Sequence, residues 1–353
     1  MAAEPLGLAE PATIKPPKNW EWCFDAPVTG LAFARSGRCM AAALGDGTVR
    51  LISRDATEDE PRVIEAHDGA VLCLQAEPGG DRFLSGGDDG RLVQSSGDGT
   101  HRVLLDAPGQ WIDTIAVADT MLAVALGREV RLVHAAGGEI GRTAEHPSSV
   151  SGLAFNPKGK RLAVSHYNGV TLWWAASLGG TPTRYRWRGS HIGVSWSPDG
   201  KFLMTATQEN ELHGWRLADR EDMRMSGYMT KVRSLAWVAK PPFLVTAGSD
   251  SVTAWPFAGG GPIGKNAFEF GRRERYLVTC VATHPKRPLV AFGYDDGEVR
   301  VAEVPGSRMV TVRRATDDKV VALAWSPDGA AIGVGDSEGI VSLIDLSRSG
   351  GPL

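Results

Sequence analysis

Along most of the chain, apolar and polar residues alternate with the period of an extended strand. His191–Leu217, HIGVSWSPDGKFLMTATQENELHGWRL, shows the pattern in full. HIGVSW alternates and runs into Ser-Pro-Asp-Gly, where Pro presets φ and Gly accepts a positive φ. KFLMTAT predicts a second strand, Gln208-Glu209-Asn210 a polar turn, and ELHGWRL a third strand. Strands this short and this close pair antiparallel as a meander. One such sheet cannot bury both faces alone, so it requires neighbours.

The chain repeats the pattern at Val28–Ser53, Ala70–Ser96, Ile112–Ala135, Val150–Ala175, Val232–Phe257, Leu277–Val304 and Val320–Leu346, which makes eight copies in all. With Leu31, Leu72, Thr114, Gly152, Gly193, Ser234, Thr279 and Val321 as markers, the steps are 41, 42, 38, 41, 41, 45 and 42 residues. A period of ~40–45 residues with four strands per unit predicts a propeller. Residues 1–18 are expected to form a flexible arm, 19–347 the propeller and 348–353 a tail. Asn19–Phe24, NWEWCF, is a strand without an upstream partner, and the last unit lacks a fourth strand. Pairing it with Ile340–Leu346 would close the ring and remove exposed edges. The expected fold is therefore all-β: a single closed propeller of eight four-stranded antiparallel blades. The alternative is seven blades, with the shortened third unit (Val117–Met121, VADTM) folded into a neighbour.

These units resemble WD40 repeats over nearly the whole chain. The resemblance rests on the first-strand endings LAF, VSW and LAW with following PDG or PKG, the turn DDG, and the pattern VxLW. Trp173, Trp215 and Trp255 hold the family's Trp position; Ile52, Val133, Ile344, Ser95 and Ala302 replace it elsewhere. The Asp that ends the strand survives as Asp345, with Glu303 a near match. His67 with Asp89 fits the family's pairing of a His before the first strand with a turn Asp. Asp46 and Asp296 have no obvious His, and His146 faces Tyr167–Asn168. Packing more than polar tetrads is expected to hold the blades.

Composition narrows the function classes. A formal charge of −3 and a pI near 6.3 supply no global field toward nucleic acid or anionic lipid. There is no apolar run of the ~18–20 residues that a membrane span needs, and residues 1–17 lack a signal peptide's apolar core. The expected location is the cytoplasm. Cys23, Cys39, Cys73 and Cys280 show no CxxC pairing and are expected to be buried free thiols.

Several patterns could carry chemistry. Gly259–Asn266, GGGPIGKN, matches a phosphate-cradling loop except that Asn266 replaces the metal-binding hydroxyl, and strands flank it where a helix should follow. A surface loop is the expected reading. His166, His191 and His213 lie in neighbouring units with Glu209 nearby, but a short ligand spacing is missing. No GxSxG elbow places a nucleophile. Arg184–Arg188, RYRWR, points Arg184, Arg186 and Arg188 one way and Tyr185 and Trp187 the other, as a solvated face or an anion-contacting strip. Asp222–Met229, DMRMSGYM, joins adaptable methionines to an Arg and a Tyr.

The expected function is a non-catalytic scaffold that binds a protein or peptide, without cofactor, nucleic acid or membrane, and monomeric by itself. The WD40 resemblance implies docking over the rim where connections before the first strands gather, through His67, Trp111, His146, Tyr167, His191, Tyr228, Tyr276 and Tyr294. Arg184, Arg186 and Glu209 join them as candidates. The alternative is a metal-handling or enzymatic propeller with a site near the channel mouth at His166, His191 and Glu209.

Overall fold

The computed structural model describes residues 18–306 and 308–347, so the expected arm, apart from Lys18, and the tail lie outside the described residues. Every regular element is a strand, thirty in all among the described residues. Unit one shows the plan. Val28–Phe33, Cys39–Leu44, Thr48–Ser53 and Arg62–Glu65 pair antiparallel in chain order. Its second strand, CMAAAL, is buried on both faces except at Cys39 because sheets pack against either side. Outer strands instead alternate, as in Asp222–Met225, where Met223 and Met225 point inward and Asp222 and Arg224 outward.

The Ser-Pro-Asp-Gly turns explain themselves. The Ser197 hydroxyl accepts the Phe202 amide at 2.9 Å, Asp199 accepts the Lys201 amide at 3.0 Å, and Gly200 takes φ 70°. Ser326, Asp328 and Gly329 repeat this arrangement at 2.9 Å, 2.9 Å and φ 78°.

The expectation of eight separate four-stranded blades is overturned. The strands form seven sheets, six of four strands and one of six. Counting a blade as one continuous sheet, this is a seven-bladed β-propeller. The shortened third unit is not the cause, since it makes its own four-stranded sheet. Units four and five share the six-stranded sheet. Elsewhere a loop separates each outer strand from the next unit's first strand, but Thr183–Trp196 runs through both roles unbroken, bending at Gly189 with φ 109°. Its first half pairs with Arg161–Trp174 and its second half with Phe202–Thr207. Arg161–Trp174 itself doubles back at Asn168 and Gly169 (φ 66° and 134°), so that the Ala175 amide reaches the Lys160 carbonyl at 3.0 Å. A Cβ on Gly169 would meet the Tyr185 carbonyl at 2.1 Å.

The ring closes through its ends. Lys18–Cys23 pairs with Ile340–Asp345, Trp20 opposite Leu343 and Trp22 opposite Val341. The core is a ring of apolar seams, each shared by consecutive units. One seam lies within the joined sheet, around Tyr185, Trp196, Leu203 and Trp215. Another joins the last unit to the first through Met40, Leu44, Ile52, Val341 and Leu343. The thiols divide: Cys280 is buried, Cys39 and Cys73 are partly covered, and Cys23 is exposed, correcting the reading that all four are buried.

One inter-unit lock is ionic and dry. Arg313, at the end of an outer strand, donates to Asp336 in the next unit at 2.8 Å, with side chains 3% and 0% exposed. Asp336 also accepts the Ile340 amide at 2.8 Å. Arg313→Met should therefore cost about 3–5 kcal/mol by leaving a buried carboxylate unpaired, and Asp336→Asn should recover part of that loss. Urea denaturation of the two single variants and the double variant measures the coupling; strictly additive losses would refute the lock.

Candidate functional site

The connections before the first strands and the turns between second and third strands meet on one rim. The Gly47 carbonyl in a turn accepts the His67 amide at 3.0 Å, Gly90 accepts Ala107 at 2.9 Å, and Asp296 accepts Thr316 at 2.9 Å. Beneath this surface, one residue of each of several connections is keyed into the following unit. The His67 Nδ1–H meets Asp89 at 3.0 Å while its Nε2 faces the Ser85 hydroxyl at 2.8 Å. His146 donates from Nδ1 to the Arg128 carbonyl at 2.9 Å and accepts the Trp173 indole N–H on Nε2 at 3.0 Å. His191 contacts Thr205 at 2.8 Å and the Trp187 carbonyl at 3.0 Å. The Trp255 indole N–H donates to the Tyr228 hydroxyl at 2.8 Å, which pairs with Thr246 at 2.8 Å.

Two further keys use arginine. Arg273 grips Asp296 with two bonds of 2.9 and 2.8 Å, and Arg313 holds Asp336 across the next junction. Arg273 also lies 4.2 Å from the Tyr276 ring centre and 4.8 Å from that of Tyr294. Asp296 thus has a partner after all. The signal lies in the spacing: the donor precedes the turn Asp by 22 residues at His67 and by 23 at Arg273 and Arg313.

Burial corrects much of the expected contact set. His67, His146, His191, Tyr228 and Tyr294 are buried and engaged internally, so none presents its side chain to a partner. Tyr294 donates to the Gly271 carbonyl. Trp111, Tyr167 and Tyr276 do stand on the rim, 68%, 54% and 38% exposed. Met229, 59% exposed beside buried Tyr228, belongs with them, although the sequence marks it only as part of its methionine-rich run. Arg184 and Arg186 are exposed on the outer strand with Tyr185 turned inward. Exposed Glu209 accepts the Ser190 amide at 3.3 Å.

Comparison with known proteins identifies the architecture. The family model described as "WD domain, G-beta repeat" matches residues 20–53, 59–94 and 138–174, and that of the anaphase-promoting complex subunit 4 WD40 domain matches 281–350. The chain belongs to the WD40-repeat family. Among its relatives, a ribosome biogenesis protein WDR12 homolog of Chlamydomonas reinhardtii is 25% identical over 330 residues, which cover 91% of this chain and 63% of the relative. Transcription initiation factor TFIID subunit 5 of Caenorhabditis elegans is 24% identical over 47% of this chain and 25% of its own. The telomerase protein component 1 of Rattus norvegicus is 21% identical over 93% of this chain but 13% of its own length. The WD40 chain thus spans less than two thirds of each of these relatives. The crystal structure of the computationally designed Ika8 protein superposes with a TM-score of 0.74 at 17% identity, covering 92% of this chain and 97% of Ika8. That likeness is one of fold.

In this WD40 protein the other histidine and lysine patterns singled out in the sequence are engaged internally. Both ring nitrogens of His166 are taken, by the Tyr167 carbonyl at 2.8 Å and the Thr171 hydroxyl at 2.9 Å. His213 stacks on Trp187 with centroids 3.9 Å apart and meets Trp215 edge-on. Among the described residues, no three His, Cys, Asp or Glu gather as a metal site. In the phosphate-loop look-alike, Lys265 bonds the loop's own carbonyls, Gly261 at 2.7 Å and Ala258, and no helix follows. The loop's lysine is spent on the loop.

These histidines couple fold to pH. Burial first, then His191 nearby, pushes the His213 pKa down to about 3 from 6.5. His146 is pushed down to about 4, first by burial, and its Nε2 already accepts the Trp173 N–H, so a proton there would set two donors face to face. The unfolded chain takes up these protons first, so the stability each contributes is complete above pH 6.5 and is lost as pH falls toward 4. His213→Phe should flatten the stability–pH curve between pH 6.5 and 4 by up to about 1.4 kcal/mol per pH unit. Parallel curves for the two proteins, from denaturation across that range, would contradict this account.

Proposed function

We propose that this WD40 protein is a non-catalytic scaffold that binds a protein or peptide across the rim of connections and turns. Family members generally serve as scaffolds for protein interactions. One observation carries the reading for this chain: His67, His146, His191, Tyr228 and Tyr294 are buried beneath that rim, while Trp111, Tyr167, Met229 and Tyr276 are all exposed on it. Such residues dominate binding hot spots. Met229 and Tyr276 stand on short connections anchored by the Tyr228 and Arg273 keys, so little order is left to impose there on binding. Tyr276, held face-on by Arg273, is the clearest case. Relatives named as a ribosome biogenesis protein and a transcription initiation factor subunit support work within a multi-protein assembly.

Replacing Trp111, Met229 and Tyr276 together by Ser should weaken partner binding by about 2 kcal/mol or more, ~30-fold, with an unchanged melting temperature. Trp174→Ser is the control. Trp174 is 50% exposed, but it lies at the opposite end of its strand, beside the first turn. Quantitative affinity capture from cell extract compares the three proteins, and identical partner recovery by all of them would defeat the rim reading.

A further inference from the structure

We infer that the channel mouth on this rim binds an oxyanion carried by a peptide, a carboxylate or a phosphoryl group. The inference rests on the rim being the docking face, and it names the chemistry taken there. A cavity of about 550 Å³ opens between units five and eight, lined among others by Asn210, Met229, Lys231, Arg233, Asp295 and Lys319. A second cavity, also about 550 Å³, is lined by first-strand residues of the channel and shares Arg233, Thr279 and Lys319 with the first. The mouth therefore leads into the channel.

Its charge is what sets it apart. The chain carries a formal charge of −3, yet three cations line one concavity. Among the described residues none of the three has an ion pair or side-chain hydrogen bond. Two arginines on the same rim are instead matched, Arg273 by Asp296 and Arg313 by Asp336. The lining also holds one carboxylate, Asp295, which accepts the Leu277 amide at 2.9 Å and keeps its charge, so three cations against one anion leave a net positive lining. Unit five removes another possible neutraliser. Where the repeat usually carries Asp-Gly, this unit has Gln208-Glu209-Asn210. Glu209 is tied to the Ser190 amide, and Asn210, at φ 58°, lines the cavity with an amide.

Arg233 and Lys319 are exposed and Lys231 is half-buried, so these like charges repel one another across partly solvated space. No fold requirement explains the cluster, because the Arg233 and Lys319 side chains bond nothing among the described residues. An entering oxyanion relieves it. Met229 on the lip offers an apolar contact for the flanking peptide. One Arg and two Lys act largely as point charges, so both carboxylate and phosphoryl groups satisfy them.

The test uses the full chain and three fluorescein-labelled peptides: hexaglutamate, a Gly-Ser peptide bearing one phosphoserine, and the same peptide unphosphorylated. Anisotropy is read at about 50 mM salt, where screening is weak. At least one anionic peptide should bind more tightly than the neutral one, and whichever binds identifies the carboxylate or the phosphoryl group as the source. Arg233→Glu with Lys319→Glu should weaken that binding about tenfold or more, while Lys158→Glu on the opposite rim leaves it unchanged. The milder Arg233→Gln with Lys319→Gln is measured beside it, with melting curves for all. Equal affinity in the wild-type and both mouth variants, or no preference for either anion, overturns the inference. The two readings separate cleanly. If the mouth variants keep the partner that the rim aromatic variant loses, the rim stands and the oxyanion site falls. If anion binding follows the mouth charges while the aromatic variant keeps its partners, the reverse holds.

Discussion

Every unit in this ring presents apolar surface on both of its faces, so each is stable only between two neighbours. That constraint explains the second strands, such as FLMTAT at Phe202–Thr207, buried at every position. It also makes closure obligatory. Were Lys18–Cys23 absent from Ile340–Asp345, the final sheet would lose its fourth strand beside the seam of Met40, Leu44, Ile52 and Leu343. Full exposure of such side chains costs about 1.5–3 kcal/mol each. A chain with two apolar ends therefore gains far more by closing than the logarithmic cost of a long loop takes away.

Seams are non-directional, and a stack of similar sheets held by apolar contact alone could slide. The keys supply direction. His67 with Asp89, Trp173 with His146, Trp255 with Tyr228, and Arg313 with Asp336 use four chemistries to one geometric end, fixing a connection beneath the turn of the unit it enters. The Trp173–His146 and Arg313–Asp336 bonds are fully buried, where an unmade partner costs most, and the other two are partly so. The result is a rim whose loops are positioned by the interior.

Strand positions and the closing strand were legible because their causes are local, period-two alternation and Pro-Asp-Gly turns. The sheet count was not. Gly189-Ser190 looks like a break between units, and only three-dimensional pairing shows Thr183–Trp196 passing straight through it. The rim candidates were legible by position but not by burial. His146 and Tyr228 lie on connections, where side chains are usually solvated, yet their polar atoms are consumed by tryptophans that belong to other strands. Arg273 and Arg313 escaped for a different reason. The family pattern directs attention to histidine, whereas the geometry demands only a donor 22 or 23 residues before the turn Asp.

In a molecule this thoroughly paired, unmatched polar groups are informative, and their surroundings decide how. His213 makes no hydrogen bond from either ring nitrogen, and its Nε2 sits 3.4 Å from Asp222 in a misdirected contact. It nevertheless has a packing role, as a flat ring between Trp187 and Trp215 in the sheet that joins units four and five. A neutral imidazole can serve as aromatic surface. A guanidinium can stack as Arg273 does on Tyr276 and Tyr294, but that needs a ring beneath it. Among the described residues, Lys231, Arg233 and Lys319 line an open cavity and have no ring or carboxylate paired with them. Lack of a partner, which in His213 is absorbed by stacking, at the channel mouth points outward to a ligand.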